Sequence, residues 1–270
     1  MIDMQNKHDH RNLDIDKAGV KDILYPIRVL AKNGGMQHTV AKINMYVDLP
    51  RHFKGTHMSR FVEILHEYRG DMSIRTFSRI LDDMVERLDA QSAHIEVAFP
   101  YFIEKAAPVT GTPGMMEYAC RFICSKKGEK DFRVEITAPV TTLCPCSREI
   151  STKGAHNQRG RVTITLRFKR FFWIEDIIHL IENSASAEVY SVLKRPDEKY
   201  LTEQAYANPM FVEDVVRTAA QKLEQMKDFS WYAVEAENFE SIHNHSAYAY
   251  IEKKVTATGE QRDKGTPEER

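Results

Sequence analysis

The chain has 270 residues, 42% of them hydrophobic and 29% charged, which suits a globular protein of one large domain or two smaller units. Its formal net charge of -1 lacks the basic excess of a generic nucleic-acid or membrane-surface binder, so an anionic ligand must be met by a local cluster of Arg, Lys and His. Four cysteines in a chain of this length are too few for a disulfide framework and read as reduced thiols or metal ligands.

In chain order, residues 1–18 are polar and are expected to form a flexible arm. They do not have the pattern of a signal peptide, and no apolar run is long enough to cross a bilayer, so a cytoplasmic location is expected. A first unit is expected over 19–127. It opens with a strand pair, Ile23–Leu30 and Gln37–Val47, joined at Asn33-Gly34-Gly35, a strong turn signal. Ala41, Ile43, Met45 and Val47 alternate with Lys42, Asn44 and Tyr46, so one face of the second strand is buried. Two helical stripes follow: Phe61, Ile64, Leu65 and Tyr68, with Ser59 as N-cap, then Phe77, Ile80, Leu81, Met84, Val85 and Leu88. Strands return at Ala93–Ile103 and Met115–Ser125.

The order strand–strand–helix–helix–strand–strand then recurs over 128–256. Phe132, Val134 and Ile136 alternate with polar residues, as do Val162, Ile164, Leu166 and Phe168. Helical stripes fall at Ile174, Ile177, Ile178 and Ile181, and at Val212, Val215, Val216, Ala219 and Leu223. Strands near Trp231–Glu237 and Ala247–Val255 close the unit, and 257–270 is expected to be a flexible tail. The fold class is α+β: two ββααββ units, antiparallel sheets, helices packed on one face. Residues 143–159 then form a long connection between the first two strands of the second unit, a place where function concentrates.

That connection holds Leu143-Cys144-Pro145-Cys146-Ser147-Arg148-Glu149-Ile150 and Gly154-Ala155-His156-Asn157-Gln158-Arg159-Gly160. Cys144 or Cys146, with His156, offers sulfur and nitrogen to a borderline-soft divalent metal, and Glu198 can supply a third ligand, leaving a fourth position open. In an extended segment the two thiols point to opposite sides, so one of them is the ligand. The plainer reading is a pair of buried thiols and a hydrogen-bonded loop histidine. Its odds fall with the crowding of His, Asn, Gln, Arg and Glu around them. Glu240-Ser241-Ile242-His243-Asn244-His245, between the last two strands, offers proton-transfer groups or, more plainly, a polar turn. Lys54-Gly55-Thr56-His57-Met58-Ser59-Arg60 ahead of a helix suits a phosphate or simple capping. Lys194 and Arg195 can add charge to the same anion. Glu213 and Asp214 at a helix start favour the helix dipole in any case.

Together these motifs resemble GTP cyclohydrolase IB, over residues 20 to 255. The segments that carry the likeness are Leu143 to Ser151, Gly154 to Gly160, Gly55 to Phe61, Pro196-Asp197-Glu198 and Glu240 to His245. The resemblance implies the tunnelling fold, a homotetramer with interfacial active sites, and metal ligands Cys144, His156 and Glu198. It implies supporting or catalytic roles for Cys146, Glu149, His156, Glu240 and His243, and a guanine-holding role for Glu213. His57, Arg60, Lys194 and Arg195 follow from charge and placement as triphosphate contacts. The implied reaction opens the GTP imidazole ring at C8 with water, releases formate and rearranges to 7,8-dihydroneopterin triphosphate. One zinc, manganese or iron(II) per site is implied, with no nucleic-acid or membrane partner. Two other classes remain. A tunnelling-fold nitrile reductase would need NADPH and no metal, and a thiol-based redox or zinc-storage protein would bind no nucleotide.

Overall fold

The computed structural model describes residues 8–68 and 74–255. The first unit comprises β1 (Ile15–Leu30), β2 (Met36–Leu49), α1 (Met58–Glu67), α2 (Ile74–Arg87), β3 (Ser92–Ala106) and β4 (Pro113–Lys127). The second comprises β5 (Glu129–Leu143), α3 (Pro145–Ile150), β6 (Asn157–Phe168), α4 (Ile174–Glu182), β7 (Ala187–Glu188), α5 (Arg195–Ala207), α6 (Val212–Met226), β8 (Phe229–Phe239) and β9 (Ser246–Lys254). The repeated order is the expected one, but the second unit inserts α3, β7 and α5 into it.

The strands join into one sheet in the order β1-β2-β3-β4-β5-β6-β8-β9, with β7 on β5 and each ladder antiparallel. Gly128, at φ +72°, makes the tight turn that carries β4 into β5 and fuses the units. On β2 the predicted parity holds: Ala41, Ile43, Met45 and Val47 are fully buried. They share one core with Phe61 and Ile64 of α1, Ile80 and Met84 of α2, Ile177 and Ile181 of α4, and Val215 and Ala219 of α6. All these helices therefore lie on the same face of the sheet. Each fully buried Ile or Met there stabilises the fold by about 1.5–3 kcal/mol relative to an exposed one.

Charge is also buried where the units meet. Lys105 Nζ lies 2.7 Å from Glu182 and 2.5 Å from Glu188, and the Tyr118 hydroxyl donates to Glu182 at 2.7 Å. Burial, then that hydrogen bond, pushes the Tyr118 hydroxyl up from its ordinary range. Lys105 neutralises carboxylates that would be costly if left unpaired.

Two expectations change at the first unit's margins. The sheet starts at Ile15 and His8 bridges Phe53, so much of the expected flexible arm 1–18 is ordered. An edge strand with one neighbour can stay polar outward, which hid it. The expected tail 257–270 lies outside the described residues. Helix α1 begins at Met58 with His57 as N-cap and no side-chain capping bond, so Ser59 sits inside the helix. The edge strands β1 and β9 expose Leu24 and Leu30, and Tyr248 and Tyr250.

Candidate active site

β5 and β6 part after the Leu143–Asn157 pair, but the chain stays tied across the gap. The Cys144 N–H donates to the His156 carbonyl at 3.1 Å. Pro145 then opens α3 at the position where a missing N–H does no harm. Cys144 is its N-cap, and its Sγ accepts from the Ser147 N–H at 3.4 Å. Ser147 Oγ in turn accepts from the His156 N–H at 3.1 Å. A single short helix thus fixes Cys144 and His156 side by side. The segment is helical and not extended, so strand alternation is not what separates the thiols. Cys144 is half-buried at the cap, and Cys146 is exposed on α3.

The His156 ring is held as well. Nδ1 lies 3.1 Å from Gln158 Oε1 and 3.3 Å from Ser241 Oγ. The Ser241 contact brings in the β8–β9 loop with Glu240 and with His243, whose ring stacks on His245 at 5.2 Å. Glu240 is half-buried, and Glu149 and His243 are exposed.

Helix α5 arrives from the other side. Leu201 and Ala205 pack on Leu143, Ala155 and Ala187, and the Arg148 guanidinium lies 4.9 Å over the Tyr206 ring. The start of α5 is held by Asp197, which is fully buried. Its carboxylate accepts from the Val109 and Thr110 N–H groups at 2.9 Å each, from the Thr110 hydroxyl at 2.8 Å and from the Lys194 N–H at 2.9 Å. Burial alone would raise its pKa, but these donors outweigh it and hold the carboxyl down to about 2. Glu198, next in the chain, is left exposed beside Lys194 and Arg195. The Met210 N–H donates to the Leu143 carbonyl at 3.0 Å, which docks the turn before α6 against the same connection. Asp214 takes the capping bond from the Phe211 N–H at 3.0 Å, leaving Glu213 exposed and uncommitted to capping.

His57 and Arg60 lie elsewhere. The register places Val47 of β2 beside Ala93, Ser92 beside Lys127, and Lys127 beside Glu129, all at the start of β5. Cys144 follows the end of β5, about 45 Å away at about 3.3 Å per residue. Arg60 Nη1 donates to the Arg87 carbonyl at 2.9 Å, which keeps α1's start beside α2's end. Within one chain, His57 and Arg60 therefore do not share an anion with Lys194 and Arg195. Their charge and helix-start placement are local facts. Which end of the sheet they occupy depends on register.

The donor chemistry fits a divalent metal: Cys144 sulfur, the His156 nitrogen not engaged by Gln158, and an exposed carboxylate on the adjoining helix. Among the described residues no three His, Cys, Asp or Glu side chains already converge into a metal-holding group. Glu198 is exposed at the start of α5. Cys120 and Cys124 do not enter this chemistry, since burial on β4 pushes both thiols far up.

The family model described as type I GTP cyclohydrolase folE2 matches residues 1–249. The chain belongs to this family of enzymes. Its folE2 relatives include the GTP cyclohydrolase FolE2 of Syntrophus aciditrophicus, 63% identical over 94% of this chain and 100% of that protein. Those of Syntrophobacter fumaroxidans and Syntrophotalea carbinolica are 58% and 59% identical, over 94% and 93% of this chain and 99% and 95% of theirs. The family given by these matches is FolE2, type I. They do not distinguish type IB, the finer assignment that the motifs resemble. Neither the nitrile reductase nor the thiol-based protein finds support among them. Among solved structures, uricase from Arthrobacter globiformis matches with a TM-score of 0.51 at 8% identity, over 92% of this chain and 96% of that one. A urate oxidase mutant from Bacillus sp. TB-90 gives 0.51 at 7%, over 89% and 100%. At such identity the likeness concerns the fold alone, and with the repeated element order it makes this a tunnelling-fold chain. Among the described residues no helix is long and apolar enough to cross a membrane.

Three residues of this candidate site have no role assigned from the sequence. Asp197 has a local signal, a Pro-Asp pair at a helix start with the carboxylate at N3. Gln158 has a weak one, its i+2 spacing from His156 on a strand. Ser241 has none, because its partner lies 85 residues away in sequence.

Proposed function

We propose that this folE2 chain is a metal-dependent GTP cyclohydrolase of type IB that converts GTP to 7,8-dihydroneopterin triphosphate with release of formate. The observation that carries the reading is the tie between Cys144 and His156, with α3 and Ser147 holding both. Cys144, His156 and Glu198 would hold one zinc, manganese or iron(II), which would supply Lewis acidity for hydrolysis at C8. Glu213 accepts the N–H donors of the guanine edge. Lys194 and Arg195 meet the triphosphate. His57 and Arg60 join them from a second copy, which agrees with a homotetramer whose sites lie at subunit interfaces and with the exposed edges of β1 and β9. Glu240 and His243, on the loop tied to His156, move protons to and from the opening ring, with Cys146 and Glu149 in supporting positions. A cytoplasmic address accords with GTP as substrate.

The test is turnover by chelator-stripped protein with and without each metal, following formate and oxidised-pterin fluorescence. Cys144→Ala should lose metal and turnover together, by at least about a hundredfold. Full turnover in that variant removes Cys144 from the ligand set, and absence of both products with every metal defeats the reading as a whole.

A further inference from the structure

We infer that Gln158 is a positioning residue that fixes the tautomer and aim of His156, so that Nε2 and not Nδ1 faces the metal. The inference rests on the proposed reading of His156 as a ligand, and goes beyond it in naming what makes it one. Every other polar group of His156 already has a partner. Its N–H donates to Ser147 Oγ, its carbonyl accepts from Cys144, and its Nδ1 lies 3.1 Å from Gln158 Oε1.

Gln158 is itself tightly held. It is 7% exposed on β6, opposite Thr142 on β5, and its Nε2 donates to Thr142 Oγ1 at 3.0 Å. Thr142 is fully buried. With the amide N–H₂ turned to Thr142, the carbonyl oxygen is what faces His156. An amide oxygen accepts only, so Nδ1 must carry the ring proton and Nε2 the lone pair. With that proton on Nδ1, Ser241 Oγ at 3.3 Å can accept from it as well. A ligand histidine whose far nitrogen donates to an oriented acceptor is a better electron donor, and is aimed before the metal arrives.

The probe is Co(II) alone. Its affinity is measured by chelator competition, and its thiolate-to-cobalt absorption reports that Cys144 is bound. Gln158→Leu, which removes the acceptor at similar volume, should weaken Co(II) about 10–100-fold while the thiolate band persists. Gln158→Glu can accept from both Nδ1–H and the Thr142 hydroxyl, and should bind Co(II) several-fold tighter than the unaltered chain. A packing role alone would lower the unfolding midpoint of metal-free protein in both variants and would not separate their affinities. Unchanged affinity in Gln158→Leu, or a Gln158→Glu variant no tighter than the parent, overturns the inference. Should Gln158→Leu fail to fold, Gln158→Glu decides alone. His156→Ala separates the two levels: parental Co(II) affinity in that variant removes His156 as a ligand, whatever Gln158 does.

Discussion

The two units place their hairpins at the same end of the sheet and use them differently. In the first unit the β1–β2 turn leans on α4: the Lys32 N–H donates to Glu175 at 2.7 Å, and its ammonium pairs with Asp176. The β3–β4 turn supplies the Val109 and Thr110 donors that seat Asp197. Both are braces. In the second unit the β5–β6 connection carries Cys144 and His156, and the β8–β9 loop carries Glu240 and His243. Topology was repeated and chemistry was not. The first unit's own candidate contacts, His57 and Arg60, lie at the opposite end of the sheet. A rigid scaffold thus presents the candidate loops from one half and supports them with the other.

The sharpest way to break this contrast is to ask whether the first unit contributes chemistry across a subunit boundary. Arg60→Ala and Cys144→Ala should each be nearly inactive when prepared alone. If the site is shared between copies, dissociating and reassembling an equal mixture should restore turnover to about one quarter of the parental value, the fraction of sites with both residues intact. No recovery, with mixed assemblies demonstrated by mass, would confine each site to a single chain and remove Arg60 from it.

Much of the fold was legible because burial repeats with strand or helix period. On β2, α4 and α6, the alternating or stripe residues named from the sequence are the buried ones. Helix α5 escaped notice for the opposite reason: only Asp197 and Ala205 are buried on it, so it has no apolar stripe to read. The Cys144–His156 pair was legible because unusual side chains crowd one connection. The position of Arg60 was not, since a basic helix start looks the same at either end of a sheet, and ladder register over β2 to β5 decides which end it is.

Asp197 ties the start of α5 to the β3–β4 turn, and Asp197→Asn tests that joint. An amide would turn one N–H₂ toward groups that are themselves donors, so α5 would loosen from the Val109–Thr110 turn. Metal affinity and turnover should fall about tenfold, because Glu198 is the next residue. The acid behaviour gives a second readout. The carboxyl titrates near 2 in the fold against about 3.9 when unfolded, so its contribution to stability is complete above about pH 4 and is lost as pH falls through about 2. Acid unfolding of the variant should lack that component. If the variant keeps parental metal affinity, the first unit's brace is irrelevant to the site.

The smallest expected effect belongs to the other brace. Gly34 sits at φ +83°, and an added Cβ would meet nothing within 4 Å, so Gly34→Ala costs only the backbone strain of a left-handed residue. The turn itself is closed by the Gly34 N–H to the Ala31 carbonyl at 3.0 Å and the Ala31 N–H to the Gly35 carbonyl at 2.9 Å. A loss of about 1 kcal/mol, or about 2–4 °C in Tm, is expected. Turnover at 25 °C should be unchanged, because the contacts of the β1–β2 turn through Lys32 are with Glu175 and Asp176 of α4. A fall in turnover larger than the fall in folded fraction would mean that strain in this turn reaches the candidate loops through α4. In that case the first unit does more than brace.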